Sequence, residues 1–543
     1  MKRLSLLCAL QLLLVAAFSQ NLVKKDVQDY FKNLPFKMSP IKAPEFGAKI
    51  FNIKNYGAVG DGHTLNTTAF AKAIDACTKA GGGRVIVPAG SFVTGPIEMK
   101  SNVNLQVERG GMILFTRDLT QYPIIRTSPT STSFTTASPI YGFDLKNIAI
   151  TGDGIIDGSG EAWRPMKKSK YTASEWKAAV ASGGVVSKDG ELWWPTKEAM
   201  EGEAYLKKLK EEKPKATAAD YLPARDFLRP YMVMFSNCQN VLIDGITLRN
   251  SPKFVFYPTR CTNLIIRNAT IFNEWNAQNG DGIDISACKN VLIYNTTVSV
   301  GDDGICMKSS RGAKDDPAAF QLENVVIEDC KVYRGHGGFV IGSNTDGGMR
   351  NISVRNCNFI GTDIGIRVKS NTGRGGVVKD IYINDIAMAD IKDEAILFDT
   401  YYEDMPAGKI ADSIKVTAAD KVPEFRDFHI TNVVVTGAET AIFINALPNM
   451  YTHNIDFNNI TISAKKGVVA NYSRDIKFNN VNIMPAKGDV FTLTNSSNYI
   501  LNDVYPQAGK TFIKGGANTG NILIRGKNAD EANKQVVTEA KAK

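Results

Sequence analysis

The sequence predicts an all-β chain wound as a right-handed parallel β-helix, and two observations carry that expectation. A short motif recurs, a polar residue, then Asn or Asp, then alternating Val, Ile or Leu, as in LKNIAI, CQNVLI, CTNLII, CKNVLI, LENVVI, MRNISV, VKDIYI, FRDFHI, THNIDF and SRDIKF. Its Asn or Asp falls at 147, 240, 263, 290, 324, 351, 380, 427, 454 and 475, so most intervals lie in the twenties, the length of one solenoid coil. Each run has β-branched residues behind a turn residue and reads as a short strand. Equivalent strands of successive coils stack about 4.8 Å apart, and right-handed crossover is the rule for parallel strands.

The elements follow in chain order. Residues 1–19 read as a secretory signal peptide: Lys2 and Arg3, an apolar run, then a small-residue exit at Ala17-Phe18-Ser19. That run is too short to cross a bilayer and no later one is long enough, so no membrane span is expected and the protein is expected to be exported, periplasmic or extracellular. Residues 20–47 form an N-terminal extension, and the catalytic solenoid is expected over 48–527. At its start, Phe70, Ala73, Ile74 and Cys77 mark one face of a helix that stops at Gly81, suited to capping the first coil. The interval from 147 to 240 exceeds one coil and holds a partly helical insertion, 161–230, with four of the five tryptophans: Trp163, Trp176, Trp193 and Trp194. It is either an excursion with its own small core or a wall of a binding cleft. Residues 528–543 are a C-terminal tail.

Composition narrows the partners. Core material is ample at 43% hydrophobic residues, and without Lys2 and Arg3 the chain carries 62 basic and 55 acidic residues. That modest excess permits an anionic polymer as substrate. Nothing resembles a nucleic-acid module, and a monomer is expected. Seven cysteines follow Cys8, with no CxxC pair for zinc. Cys238, Cys261 and Cys288 each precede their Asn by two residues, a register that allows either inter-coil disulfides or a buried ladder of free thiols.

Aligning the coils on their Asn gathers a constellation. Asp302 lies twelve residues after Asn290 and His336 twelve after Asn324, while Gly304, Gly338 and Gly365 share offset 14. GDDGICMKS, GHGGFVIGS and TDIGIRVKS are therefore one template, and the preceding coil fits when Gly282 matches Gly304 and Asp281 matches Asp303. The stack predicts Asp281 one coil from Asp303, Asp302 beside it, His336 one coil beyond Asp302, and Lys308, Arg367 and Lys369 on the same surface. Carboxylates at that spacing repel, which keeps one acid protonated near neutrality beside ionised partners. The neighbouring cations and histidine argue against a calcium site, so no metal or other cofactor is expected. Asp284, taken singly, reads as a turn residue.

These residues, as NGDG (279–282), GDDG (301–304), GHGG (335–338) and RVK (367–369), in that order after YGAVGDGHTLNTTAFAKAIDAC, resemble the polygalacturonases of glycoside hydrolase family 28 over roughly residues 48–490. The resemblance implies hydrolysis of α-1,4-linked galacturonate with inversion. Carried over, Asp302 is the general acid, Asp281 and Asp303 hold and activate water, and His336 supports the acid. Arg367 and Lys369, with Asn279 and Lys308, contact the substrate. Gly280 stands where Thr or Ser is common and Gly304 where Cys is common. An inverting hydrolase needs carboxyls about 6.5–9.5 Å apart, a gap that two coils can span. The alternatives are a rhamnogalacturonan or xylogalacturonan hydrolase, a β-helical pectate lyase, and a non-catalytic pectin-binding solenoid.

Overall fold

The computed structural model describes residues 25–310, 320–402 and 421–538. The expected signal peptide, 1–19, lies outside the described residues. Within residues 25–40, a single turn of 3-10 helix, Val27–Phe31, is closed by a capping box between Asp26 and Asp29.

From Ile50 onward the chain is mostly strand, and the long sheets are parallel. One sheet holds 24 strands and a second holds 14, the latter stacked in strict chain order. The site is built on seven consecutive strands of the second sheet: β1 (Val233–Ser236), β2 (Phe256–Thr259), β3 (Ile283–Ser286), β4 (Asp303–Lys308), β5 (Gly337–Ile341), β6 (Ile366–Lys369) and β7 (Glu394–Asp399). Both faces of β3 and β4 are covered, and every residue in them is buried. A continuous core of Val, Ile, Leu and Phe runs from Ile53 to Ala532. The last strand, Val536–Thr538, pairs in parallel with Ile513–Gly515. Coil stacking thus continues past 527, where the sequence suggested that a tail begins.

The recurrent Asn explains the coil. Asn147, Asn240, Asn263, Asn290, Asn324 and Asn351 all adopt left-handed backbone, with φ between 52° and 60°, a conformation Asn tolerates better than other side chains. Each amide donates to the side-chain oxygen of the Asn one coil earlier, at 2.9–3.2 Å. One residue type therefore turns the chain and ties each coil to the last.

The helix expected after the first strand spans Thr67–Lys79 (α1), and its buried residues Phe70, Ala73, Ile74 and Cys77 join the same core. Asn66 precedes it and hydrogen-bonds the backbone of Val59, Thr64 and Val93. All seven cysteines of the described residues are buried free thiols, which selects the thiol ladder over disulfides.

The insertion contains helices α2 (Ala173–Ala181) and α3 (Lys197–Glu212) and a three-stranded antiparallel sheet. Trp163, at 1% exposure, packs edge-on against Tyr122 with ring centroids 4.9 Å apart. Gly202 of α3 lies against Phe227, where a Cβ would meet the ring. Trp163 thus ties the insertion to a residue outside it, Gly202 packs against Phe227 within it, and two of its cations reach the site described below.

Asn290→Ala is expected to cost about 2–5 kcal/mol, because Ala in left-handed backbone costs ~1–2 kcal/mol and each of the two lost ladder hydrogen bonds ~0.5–1.5 kcal/mol. Asn290→Gly keeps the backbone and should cost clearly less. Thermal midpoints of the two variants check this, and equal losses would mean that the left-handed turn carries no strain.

Candidate active site

Strand register brings the acids together. Ile283 of β3 pairs with Ile305 of β4 and Asp303 pairs with Gly337 of β5. Asp281 is therefore level with Asp303, and Gly282 N–H donates to Asp303 O at 2.9 Å. Asp302 is level with His336, whose N–H donates to Asp302 O at 2.9 Å. The same column continues to Asp363, whose N–H donates to Gly335 O, and to Asp393, whose N–H donates to Asp363 O, both at 2.8 Å. One carboxylate oxygen from each of Asp281, Asp302 and Asp303 lies within 4.8 Å of the others.

That spacing corrects the expectation of carboxyls 6.5–9.5 Å apart. Adjacent coils are too close to hold the acids so widely, and the observed separation is nearer the roughly 5–5.5 Å of a retaining pair. A water accepting and donating at about 2.7 Å to two oxygens spans up to ~5.4 Å, so the gap suits one water held by two carboxylates.

The three acids sit in different environments. Asp281 is 4% exposed and its Oδ1 has no hydrogen-bond partner among the described residues. Burial, then repulsion from Asp302 and Asp284, hold its carboxyl well above the usual range. Asp303 is also buried, which acts to raise it, but Lys369, Arg367 and Lys308 outweigh burial and hold it below the usual range. Lys369 Nζ donates to its Oδ2 at 2.8 Å and Arg367 Nη1 to its Oδ1 at 3.3 Å. Asp302 is the most exposed of the three, with 17% of its side chain accessible, and its Oδ1 accepts from Asp303 N–H at 3.0 Å. His336 Nδ1 lies 3.8 Å from Asp302 Oδ1, and Nε2 lies 3.8 Å from Asp363 Oδ2.

The other expected contacts are present but engaged. Lys308 lies beneath the cluster, with Nζ 3.1 Å from Asp284 and donating to Gly342 O at 3.2 Å, so it does not offer a free ammonium to the cleft. Asn279 Oδ1 accepts from Arg229 Nη2 at 2.8 Å. Arg367 and Lys369 first of all hold Asp303, while Arg367 Nε is buried without a partner. Tyr402 lies under both cations, 5.6 Å from Arg367 and 4.6 Å from Lys369. Gly304 departs from the family residue because a Cβ there would meet Val332 Cγ1 at 2.6 Å and Gly337 O at 2.9 Å.

Four residues escaped the sequence reading. Asp284 is not a turn residue: it is fully buried on β3, and burial lifts it to about 7 against the pull of Lys308. Asp363 follows His336 by the same coil arithmetic, in the quoted TDIG, and was legible there. Lys170, from the insertion, places Nζ 3.4 Å from His336 Nε2 and donates to Gly301 O at 3.3 Å. Arg229, at the insertion's end, also donates to Gln278 O at 2.9 Å. No periodicity marks the last two. A cavity of about 410 Å³ beside His336 is lined by Lys170, Trp275, Arg334, Asp363 and Lys392.

Residues 166–471 match the profile of glycosyl hydrolases family 28. The chain belongs to that family. Residues 50–183 match a second profile, rhamnogalacturonase A/epimerase, pectate lyase-like. Among curated proteins, this family 28 hydrolase is 30% identical over 433 residues to an exo-poly-alpha-D-galacturonosidase of Dickeya chrysanthemi, across 76% of this chain and 67% of that one. Among solved structures it superposes on a hyperthermoactive exopolygalacturonase from Thermotoga maritima with a TM-score of 0.68 and 30% identity, covering 85% of this chain and 96% of that one. A polygalacturonase from Erwinia carotovora ssp. carotovora, 20% identical with a TM-score of 0.57, covers 82% of this chain and 99% of its own and shares the fold. The family 28 assignment makes the chain a glycoside hydrolase.

Asp281→Asn tests the electrostatics. A carboxyl held high in the folded state binds its proton more tightly there than when unfolded, so the native enzyme loses stability as pH rises from about 4 through the raised folded value. The amide has no proton to lose. Its thermal midpoint should match the parent's near pH 4 and exceed it at pH 7, and a difference that does not grow with pH contradicts the raised value.

Proposed function

We propose that the protein is an exo-acting polygalacturonase that cleaves α-1,4-galacturonosyl linkages with inversion. The observation that carries this is the three-carboxylate stack with buried cations on one side and a cation of the insertion on the other. In this reading Asp302 protonates the leaving oxygen, as the most exposed of the three acids and the one beside His336. Asp281 and Asp303 hold the water between them, and Asp303, kept ionised by Lys369 and Arg367, takes its proton. Burial and the neighbouring acids hold Asp281 well above the usual carboxylate range, so the cluster favours keeping a proton. His336 and Lys170 fix the geometry of the acid's outer side. The Arg367 guanidinium, whose Nη1 holds Asp303, is the cation suited to a uronate carboxylate, which an Arg fork matches.

The close spacing favours one second reading, a retaining reaction in which Asp303 attacks the sugar as nucleophile. The inverting reading rests on the water-sized gap and on the family resemblance.

Exo action rests on the insertion. Lys170 stands beside His336 and Arg229 binds Asn279, so a segment outside the coils reaches the catalytic column at two points. A polymer threads a cleft only when both ends are open, and an overhanging segment rooted before β1 obstructs one of them. The relatives named exo-poly-alpha-D-galacturonosidase and exopolygalacturonase agree with this. The remaining proposals concern architecture and address: a right-handed coil, as in about 98% of parallel crossovers; α1 as the cap of the first coil; a catalytic solenoid from 48 with its insertion at 161–230; a monomer; and export through the signal peptide at 1–19.

Incubation with unesterified polygalacturonate checks the reading in one time course. The parent should release short uronides of one length from the start with little loss of viscosity, and Asp302→Asn should release none while keeping the parent's fold. An early viscosity fall with mixed oligomers rules out exo action, and near-parental turnover by Asp302→Asn removes it as the acid.

A further inference from the structure

A second cavity, of about 390 Å³, shares no lining residue with the one beside Lys170 and Trp275. Its floor is β1 and β2, with Tyr257 on β2 and Tyr231 two residues before β1. Its walls are Arg229 and Trp194 of the insertion and Thr136 of the antiparallel hairpin that includes Phe134–Thr136. Lys253 lies in the same lining.

Register ties this cavity to the catalytic column. Phe256 pairs with Ile283, so Lys253 is level with Gly280, and Gly280 is level with Asp302 one coil further on. Val255 N–H donates to Asp281 O at 2.9 Å, which fixes the alignment. Lys253 therefore stands two coils before the acid Asp302 in one column, a backbone separation of about 10 Å from the strand spacing.

The Lys253 ammonium is held by aromatic faces alone. It lies 5.1 Å from the centre of the Tyr231 ring and 5.4 Å from that of Phe254, and among the described residues it has no hydrogen-bond acceptor and no carboxylate partner. Tyr231 and Tyr257 pack with ring centroids 4.2 Å apart at a 32° tilt. Burial, then the neighbouring Arg229, pull the ammonium below its usual value. Arg229 likewise makes no ion pair among the described residues, only bonds to Asn279 Oδ1 and to carbonyls. The fully buried cations here behave differently: Lys308 has Asp284 and Lys369 has Asp303. Lys253 is half-buried, and an ammonium partly withdrawn from water without an ion-pair partner gains from a ligand anion. Aromatic faces, hydroxyls and an unneutralised cation together match a sugar carrying a carboxylate.

We propose that this cavity receives the terminal uronate of the polymer and that Lys253 binds its carboxylate. The inference rests on the exo reading and names the group by which the chain end is chosen. Arg229 is a positioning residue here, holding Asn279 between the cavity and the acids. A neutral sugar at the end of the chain leaves Lys253 uncompensated and binds more weakly.

The test compares an end-labelled oligogalacturonide with the same oligomer methyl-esterified only on its terminal uronate at the obstructed end. The parent should prefer the free acid by at least about ten-fold in kcat/KM, the scale of one charge-assisted hydrogen bond. Lys253→Met, which keeps the length of the stem over the rings, should lose most of that preference through KM with kcat nearly unchanged, and Lys253→Arg should retain it. A Met variant that keeps the parent's preference overturns the assignment, as does a parent that does not discriminate, whether or not the variant folds. The label separates the two claims: internal cuts by the parent overturn the exo reading itself, whereas terminal cuts with an unchanged preference in Lys253→Met overturn only the cavity's role.

Discussion

Parallel stacking at a fixed strand spacing is the constraint on which the rest depends. Residues at equal offsets in successive coils have no choice but to meet, and the Asn ladder at 240, 263, 290, 324 and 351 holds the offsets equal. The same spacing that builds the core forces Asp281 and Asp303 together, and Asp302 and His336. Carboxylates so close are unfavourable unless cations share the site. Lys308 and Lys369 are accordingly buried with them, each bonded to an acid, and the chemistry of the cluster follows from how unequally those cations are distributed.

That inequality separates the environments. Asp303 receives Lys369 and Arg367 and is held below the usual carboxylate range, while Asp281 receives neither and is held well above it. Asp302 lies between them toward the open side. A fold with looser register could not keep three acids within 4.8 Å and still give each a different partner. The glycine at 304 belongs to the same economy of space, since Val332 and Gly337 leave no room for a side chain there.

What the sequence disclosed and what it withheld divide along the repeat. Wherever a residue belongs to a coil, counting from its Asn locates it, which is why the Asp281–Asp303 and Asp302–His336 pairings were legible and Asp363 was within reach. Asp284 was misread as a turn residue because a lone aspartate carries no mark of burial, whereas it lies within β3, which is covered on both faces. Counting also places partners without fixing what they hold: Lys308 was expected on the site's surface, yet it is buried and its ammonium is taken by Asp284. Lys170 and Arg229 lie in the segment that interrupts the repeat, where no offset exists to count. Their approach to His336 and Asn279 is a tertiary fact, set by how Trp163 and Gly202 pack the insertion. The separation of the acids was misjudged for a simpler reason: coil spacing bounds side chains of neighbouring coils more tightly than a two-coil span suggests.

The central claim is that the clustered acids direct one water at the sugar, so that hydrolysis is a single displacement in spite of their close spacing. The anomer of the first product tests it most directly. Proton NMR of polygalacturonate hydrolysis in its first minutes, before mutarotation, should show the new reducing end as the β-anomer, inverted from the α-linkage. A first-formed α-anomer would instead reveal a double displacement through Asp303, and an unsaturated end would remove the reaction from hydrolysis altogether.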